Sequence, residues 1–265
     1  MNQNGQQNGI GTLGLNTSAG LIFLFLIAPV IIIAVISFSG STVLRFPPES
    51  WSGRWYERFL GDPAWRASAL VSLKVALLTT VFATTIGFLA ALALVRGTFR
   101  GKMAIYGLLL TPMIVPNVIT AIAFYITFAK WGASGSILGM ALGHTVLALP
   151  LVVIILTSNL QSLDERYERA ALNLGASQWY TMRRVTLPLA APGLISAALF
   201  SFLTSFDELL ISLFLAGVQA QTLTVRIWNN LALEIEPTIA AVSTVLIAVT
   251  VLALGLNAIL QRARQ

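Results

Sequence analysis

Six long apolar segments constrain the fold of this chain more than any other feature of its sequence. Each meets or exceeds the roughly 20 residues that a helix needs to cross a bilayer. Helices satisfy their own backbone hydrogen bonds in hydrocarbon, so each segment is predicted to be helical. The sequence therefore predicts an all-α membrane protein with six transmembrane helices. The segments cover approximately residues 20–39, 66–95, 103–129, 136–158, 189–215 and 238–260.

The composition excludes several classes of protein. Apolar residues make up 57% of the chain and charged residues 10%, against about 45–50% and about 25% in soluble domains. The net charge of +6 comes from basic residues scattered between apolar segments, which argues against a nucleic-acid surface. The chain has no cysteine and one histidine, so disulfides, thiolate metal sites and a histidine-based triad or zinc site are not expected. We predict no catalytic residue and no metal site in this chain.

The N-terminal residues differ in composition from the rest of the chain. Residues 1–19 are rich in Asn, Gln, Gly, Ser and Thr and are predicted to form a flexible cytoplasmic tail. Residues 20–265 then form one transmembrane domain. The first apolar segment has no basic residue before it and no small-residue cleavage pattern after it, so we expect a retained helix instead of a signal peptide.

The basic residues predict the orientation, because cytoplasmic connections carry an excess of Lys and Arg. With six spans, both termini and the second and fourth connections lie on one side. That side has more basic than acidic residues, whereas the two are nearly balanced on the other side. We therefore expect the termini and residues 159–188 to be cytoplasmic. The basic residues on this side are Arg96, Arg100, Lys102, Arg166, Arg169, Arg183, Arg184, Arg262 and Arg264, and the acidic ones are Asp164, Glu165 and Glu168.

The fourth connection, residues 159–188, has the sequence pattern of a short amphipathic helix. Tyr167, Ala170, Ala171 and Leu174 recur at the spacing of one helical face. This face could lie in the lipid headgroups or could dock against a partner protein.

Several residues predict where helices in this connection begin and end. Ser162 and Glu165 have the spacing of a reciprocal capping box at the start of the amphipathic helix. Gly175 suits a left-handed stop at its end. Ser177 can cap a second short helix, which Pro188 is expected to separate from the fifth span.

The spacing from Ala170-Ala171 through Gly175 to Leu187-Pro188 resembles the cytoplasmic "EAA" loop of type I ABC importer permeases, which work with a binding protein. The resemblance implies their permease fold, with a coupling helix between the fourth and fifth spans that docks into an ATPase. The family pattern falls on Ala170, Ala171, Gly175, Leu187 and Pro188. Together with the apolar face and the charged pair beside it, the residues predicted to couple to the ATPase are Tyr167, Glu168, Arg169, Ala170, Ala171, Leu174, Gly175, Leu187 and Pro188.

A narrower resemblance, to the spermidine/putrescine-type permease subfamily, rests on the region from about residue 200 to residue 240. Its sequence elements are Ser205-Phe206-Asp207-Glu208, Thr222-Leu223-Thr224-Val225 with Trp228, and Glu236-Pro237.

The loop departs from the family pattern at one position. The acidic residue that the family places six residues before the glycine is Arg169 here, and Glu168 lies one position earlier. One residue is about 100° around a helix, so Glu168 cannot replace it on the same face. Either the contact with the ATPase has an altered charge, or docking depends mostly on the apolar face.

No ATP site is predicted in this chain. The stretch from Gly97 to Lys102 has three residues between its glycines, and Met103 follows the lysine, whereas a phosphate-binding loop needs four residues and a Ser or Thr. The resemblance therefore implies that ATP and Mg are bound by a partner ATPase, and that the chain is not itself an enzyme. It also implies an ATPase dimer, a second permease subunit in a heterodimer, and a periplasmic substrate-binding protein as partners.

Two carboxylates, Asp207 and Glu208, fall within the fifth apolar span. A carboxylate facing lipid is costly, so these side chains should face the protein or an aqueous pathway. They could attract the ammonium groups of a polyamine, or they could have a structural role in capping a broken helix or pairing with Lys74. Lys74 could instead extend to the outer surface.

Other intramembrane residues mark helix contacts and helix breaks. His144 follows Gly139 and Gly143, whose spacing allows close helix contact, and is predicted to hydrogen-bond to a neighbouring helix. Pro112, Pro116 and Asn117 interrupt the third span, and such breaks are tolerated where they line a cavity. The predicted substrate pathway therefore contains Asp207, Glu208, Pro116 and Asn117.

Together with the six predicted spans, the family resemblance implies a multi-pass permease subunit of an ATP-driven importer in the bacterial inner membrane. The subfamily resemblance implies a polyamine such as spermidine or putrescine, with an opine-like or amino-acid-derived solute as the alternative. The alternative class is an ion-coupled secondary transporter or channel. Matching broken helices in inverted repeats would favour that class, and no convincing pair is visible in the sequence.

Overall fold

The computed structural model describes residues 4–217, 220–233 and 236–262, and the only β pairing in this part of the chain is an isolated bridge between Ser39 and Trp51. Its helices confirm the all-α prediction. They are α1 (Asn4–Ile36), α2 (Arg54–Gly61), α3 (Pro63–Arg96), α4 (Lys102–Leu110), α5 (Asn117–Lys130), α6 (Ile137–Ser162), α7 (Arg166–Asn173), α8 (Gln178–Thr181), α9 (Leu187–Phe206), α10 (Leu210–Leu215), α11 (Leu223–Leu233) and α12 (Thr238–Arg262). A 3₁₀ turn spans Thr111–Met113, and a π-helical turn spans Met182–Thr186.

Five continuous helical segments in the described residues are long and apolar enough to cross a membrane, and they lie in α1, α3, α6, α8–α9 and α12. The sixth predicted span is a bent pair, Lys102–Met113 and Asn117–Lys130, whose axes differ by 97°. Six spans result when the pair is counted as one.

The bend in the third span has a local cause in its two prolines. A residue that precedes proline is disfavoured in the helical region, and proline has no amide proton to donate. The helix accordingly ends after the 3₁₀ turn that contains Pro112, and α5 begins only after Pro116, with Asn117 as its first residue. The predicted interruption is confirmed.

The structure differs from the prediction at the N-terminus. Residues 4–19 belong to α1 instead of forming an irregular tail. They contain no proline, and a helix that has formed in the following apolar segment extends easily, because each added residue gains a backbone hydrogen bond.

The chain forms two compact units, one of Met1–Pro63 with Asn230–Val249 and one of Ala64–Asn229 with Thr250–Gln265. In the first unit, the connection between α1 and α2 is tied by side chains. The Trp55 indole donates to the Ser39 carbonyl at 2.7 Å, and the hydroxyls of Tyr56 and Ser37 are 2.7 Å apart. Arg58 forms an ion pair with Glu236 at 2.8 Å.

In the second unit, α3 and α6 run in the same direction and α9 runs against both. The Thr79 hydroxyl of α3 donates to the Ala141 carbonyl of α6, and further along both helices Gly87 lies against Val152. Gly193, near the start of α9, lies against Asn159, near the end of α6. These directions agree with spans that alternate across a membrane.

Small residues allow these three helices to approach closely. A Cβ added at Gly87 would be 2.4 Å from a Val152 methyl, and one added at Gly193 would be 2.3 Å from the Asn159 side chain. Such contacts stabilise helix pairs in lipid, where apolar burial alone gives little driving force. Around them lies one apolar core, formed by Ala83, Phe88, Ala91, Ala148, Val152, Leu156, Leu160, Ala190 and Ala197.

The fifth span is interrupted near its far end, which the sequence did not predict. Helix α9 ends at Phe206, and α10 begins at Leu210. The Glu208 carboxylate accepts the Ser212 amide proton at 3.1 Å, in place of a backbone carbonyl. A side chain that caps an amide in this way competes with continuation of the helix.

Candidate functional site

The connection between α6 and α9 forms a two-helix loop, residues 163–186, with an exposed apolar surface. Helix α7 carries the predicted apolar face, and Tyr167 and Leu174 are 61% and 89% exposed. The neighbouring aromatic residues Trp179 and Tyr180 of α8 are also exposed. Large apolar side chains of this exposure mark a surface for lipid or for a protein partner.

The remaining predicted coupling residues divide between the two ends of this loop. Ala170 is exposed and Ala171 half-buried on α7. Leu187 packs against the apolar core at the start of α9, and Pro188 follows it on an exposed position. Leu187 and Pro188 therefore belong to the start of the fifth span, whereas α7 carries the exposed surface.

The start of α7 differs from the predicted capping box. Ser162 is the last residue of α6, and its hydroxyl donates to the Asn159 carbonyl at 2.7 Å. The Asp164 carboxylate instead accepts the Arg166 amide proton at 2.9 Å. Helix α6 extends through Ser162, so this hydroxyl bonds within α6, and Asp164 satisfies the first amide of α7 instead.

The end of α7 follows the prediction. Gly175 has φ +87°, in the left-handed region, and its amide donates to the Leu172 carbonyl at 3.0 Å. The Ala176 amide donates to the Ala171 carbonyl at 3.1 Å. The Ser177 hydroxyl then accepts the Tyr180 amide proton, which confirms it as the cap of α8.

Pro188 does not separate α8 from the fifth span, contrary to the prediction. A π-helical turn joins α8 to α9, and the Leu187 amide donates to the Met182 carbonyl five residues earlier. The wider turn accommodates a residue that cannot donate an amide proton. The helical path therefore continues from Gln178 to Phe206.

The unusual Glu168–Arg169 pair has two separate environments. Arg169 is on the exposed side of α7, where its side chain is 72% exposed and pairs with Glu165 at 2.6 Å. Glu168 faces the body of the protein and pairs with Arg96, the last residue of α3, at 3.1 Å. The two side chains thus point in different directions, as the helical geometry predicted.

Arg96 also pairs with Glu165 at 3.1 Å, so Glu165 lies between two guanidinium groups. The hydrogen bond from Arg169, and then the charge of Arg96, lower the pKa of Glu165 below its ordinary value. This carboxyl therefore stays ionised at neutral pH, and both ion pairs persist there. In the sequence alone, Arg96 indicates only the orientation of the chain in the membrane.

Away from this loop, a buried polar cluster surrounds His144, between the middle of α3, the first turns of α6 and the end of α9. The His144 ring nitrogens lie 2.8 Å from the Ser205 hydroxyl and 3.1 Å from the Ser212 hydroxyl, and Ser205 donates to Thr79 at 3.2 Å. This confirms the prediction that His144 bonds to a neighbouring helix. Gly143 packs against Ile211 of α10, whereas Gly139 faces the Ala133 carbonyl of its own preceding turn.

Glu208 extends this cluster. Its side chain is 8% exposed, and its carboxylate lies 3.5 Å from His144 and caps the Ser212 amide. Its backbone carbonyl accepts from the Thr224 hydroxyl at 3.0 Å. These contacts are those of a helix cap, the structural alternative that the sequence left open beside a role in the substrate pathway. Lys74 is exposed and forms no ion pair in the described part of the chain, so the alternative pairing with Lys74 is not observed.

The breaks of the third and fifth spans meet at a cavity of about 680 Å³. Asn117 and the two carboxylates line it, and Asp207 is the more exposed of the two. Pro116 is adjacent to Asn117 but is not among the lining residues. The lining residues are Pro112, Met113, Asn117, Leu147, Phe200, Leu203, Thr204, Asp207, Glu208, Leu209 and Leu210.

The sequence carries a family signature that includes the residues of this loop and this cavity. Residues 83–265 match the family described as binding-protein-dependent transport system inner membrane component. The chain belongs to this family. It is therefore a transport permease subunit, which decides against the alternative class of ion-coupled secondary transporters and channels.

Several curated permeases are similar to the chain over most of its length. It is 32% identical over 243 residues to the spermidine/putrescine permease PotC of Haemophilus influenzae, covering 91% of this chain and 94% of that protein. It is also 32% identical to the putrescine permease PotI of Escherichia coli K12, covering 85% and 82%. The molybdenum permease ModB of the same strain is 31% identical over 63% of this chain.

Solved structures of transport permeases share the fold. A chain of a bacterial ABC transporter that imports alginate superimposes with a TM-score of 0.81 and 17% identity, covering 97% of this permease and 98% of that chain. The methionine transporter MetNI gives a TM-score of 0.61 at 19% identity, covering 75% and 94%. These results confirm the predicted ABC importer permease fold.

Proposed function

We propose that this chain is the permease subunit of an ATP-driven importer for a polyamine such as spermidine or putrescine. It works with a second permease, two ATPase subunits that bind ATP and Mg, and a periplasmic binding protein. Residues 159–188 and both termini lie in the cytoplasm. The excess of basic residues at that end of α3 and around α7 supports this orientation.

The exposed apolar surface of α7 and α8 supports docking of an ATPase onto this loop. Residues such as Tyr167, Leu174 and Trp179 provide the aromatic and aliphatic anchors that protein interfaces favour. Docking then depends mainly on this apolar face, and the exposed Arg169–Glu165 pair adds charge at its edge.

The continuous helical path from Gln178 to Phe206 supports a mechanism for coupling. When the ATPase subunits close, they displace α7 and α8. Because α8 and α9 are joined through the π turn without an irregular segment, that displacement is carried along the fifth span to its far end. The break at residues 207–209 and the cavity lie there, so rotation of the fourth and fifth spans opens the cavity outward.

The negative charge of the cavity is the observation that supports a polyamine as the substrate. Asp207 and Glu208 line it, and the described lining includes no Lys or Arg. An acidic cavity concentrates cations and repels anions. A polyamine is a small, flexible polycation, and the curated relatives PotC and PotI carry spermidine and putrescine in their names.

A competition experiment tests this choice of substrate. The chain with its native partner subunits is placed in proteoliposomes with ATP inside and radiolabelled spermidine outside, together with the binding protein. We expect uptake that excess putrescine suppresses and that excess opine or neutral amino acid leaves unchanged. Uptake that only an opine or amino acid suppresses would contradict the polyamine proposal while leaving the permease assignment intact.

A further inference from the structure

Arg96 makes a set of contacts that the importer mechanism described above does not use. It is the last residue of α3, and its side chain is 18% exposed. Its guanidinium donates to the Glu168 carboxylate at 3.1 Å, to the Glu165 carboxylate at 3.1 Å and to the Leu163 carbonyl at 3.4 Å. One side chain of α3 therefore holds both the start of the loop and the first turn of α7.

Glu168 extends this connection to the fifth span. Its second contact is the hydroxyl of Thr186, which donates to Oε1 at 3.1 Å. Thr186 is buried in the π turn directly before α9. The Glu168 carboxylate, 19% exposed, thus joins the end of α3 to the base of α9 through α7.

We propose that Arg96 is a positioning residue that fixes α7 to α3, so that displacement of α7 moves α3 together with α6 and α9. This inference rests on the proposed function. Partly buried, charge-assisted hydrogen bonds are stronger than those between neutral groups, and the planar guanidinium fixes direction as well as distance. The contacts of Arg96 therefore hold α7 to α3 more rigidly than a single exposed ion pair would.

A contact at the middle of α3 gives this link a functional consequence. Thr79 of α3 accepts from Ser205, which also contacts His144, in the cluster beside the cavity. Helix α3 is therefore anchored at its last residue to the coupling loop and at its middle to the break of the fifth span. With Arg96 in place, the three helices move as one body, and without it α3 lags behind α9.

The first test measures uptake per ATP hydrolysed in reconstituted complexes. Arg96→Gln leaves Glu165 and Glu168 without their shared cation and is expected to keep ATPase activity within about twofold. The ratio of uptake to hydrolysis should fall about fivefold or more, the lower end of the usual range for coupling between sites. Arg96→Lys keeps the charge but replaces the planar guanidinium by a single ammonium group. Its ratio of uptake to hydrolysis should lie between those of the native chain and Arg96→Gln.

Arg100→Gln is the matched control, because it removes the same charge from an exposed position four residues later. It should keep the native ratio. An unchanged ratio in Arg96→Gln, or an equal loss in Arg100→Gln, would overturn the proposal.

The second test does not depend on ATP or on the substrate. The chain contains no cysteine, so Ala93→Cys on α3 and Asn173→Cys on α7 can carry two spin labels without other substitutions. In the full chain we expect one narrow distance distribution, which Arg96→Gln broadens. A narrow distance distribution both with Arg96 and with Arg96→Gln would overturn the proposed link between α3 and α7. If the link is present but no complex shows ATP-dependent uptake, the proposed function is what fails.

Discussion

Gly175→Leu should reduce ATP-dependent uptake to about a tenth of the native value or less. Gly175 has φ +87°, and an L-residue with a Cβ pays roughly 1–2 kcal/mol in the left-handed region. A Cβ added there meets no atom within 4 Å, so this cost is conformational and not a clash. Relief of the strain would open the closing bonds of α7 and change the direction in which the chain enters α8.

Gly175→Asn is the matched control, because asparagine tolerates the left-handed region far better than leucine. It should retain most of the uptake. Both variants are compared by uptake in proteoliposomes and by the amount of ATPase that copurifies. We expect Gly175→Leu to lose uptake while the ATPase still copurifies at a reduced or native level. Native uptake by Gly175→Leu would contradict the assignment of residues 159–188 to coupling.

Asp207→Asn should lower uptake about tenfold while assembly stays native. Asp207 is the exposed carboxylate of the cavity, and a cleft of one charge sign raises the local concentration of its counter-ion by about tenfold or more. Asparagine keeps the size and most of the hydrogen bonding and removes the charge. Docking of the binding protein and basal ATPase activity should be unchanged. Native uptake by Asp207→Asn would contradict a role of Asp207 in the substrate pathway.

Glu208→Gln should act differently, because the contacts of Glu208 are structural. Its carboxylate caps the Ser212 amide and lies 3.5 Å from His144. We expect lower thermal stability of the purified chain together with lower uptake, whereas Asp207→Asn should leave the melting temperature unchanged. Thermal unfolding of both variants and of the double variant measures this. If Glu208→Gln kept native thermal stability and lost only uptake, the pathway role would belong to Glu208 and the structural role to Asp207.

The sequence was sufficient for the parts of the fold that follow from apolar length and local helix signals. Six apolar segments predicted the spans, Pro112 and Pro116 predicted the break in the third, and Gly175 and Ser177 predicted how α7 ends and α8 begins. Each of these depends on properties of one residue or a short segment. The match to the family then confirmed the fold that the loop spacing had suggested.

The missed features depend on residues that are distant in the sequence. Arg96 meets Glu165 and Glu168 only because α3 and α6 run in parallel and end at the same level. The break after Phe206 likewise depends on Glu208 capping Ser212 and approaching His144. A carboxylate in an apolar segment was the available signal for it, and that signal could not distinguish a helix cap from a pathway residue.

Purification of the chain from its native cells, followed by uptake under ATP, tests the central claim most directly. We expect an ATPase to copurify with the permease, and proteoliposomes of this complex to take up spermidine only with ATP, Mg and the binding protein. Adding vanadate, which traps ABC ATPases, should stop uptake. A chain that purifies without an ATPase and still moves spermidine down or against a gradient without ATP would contradict the account.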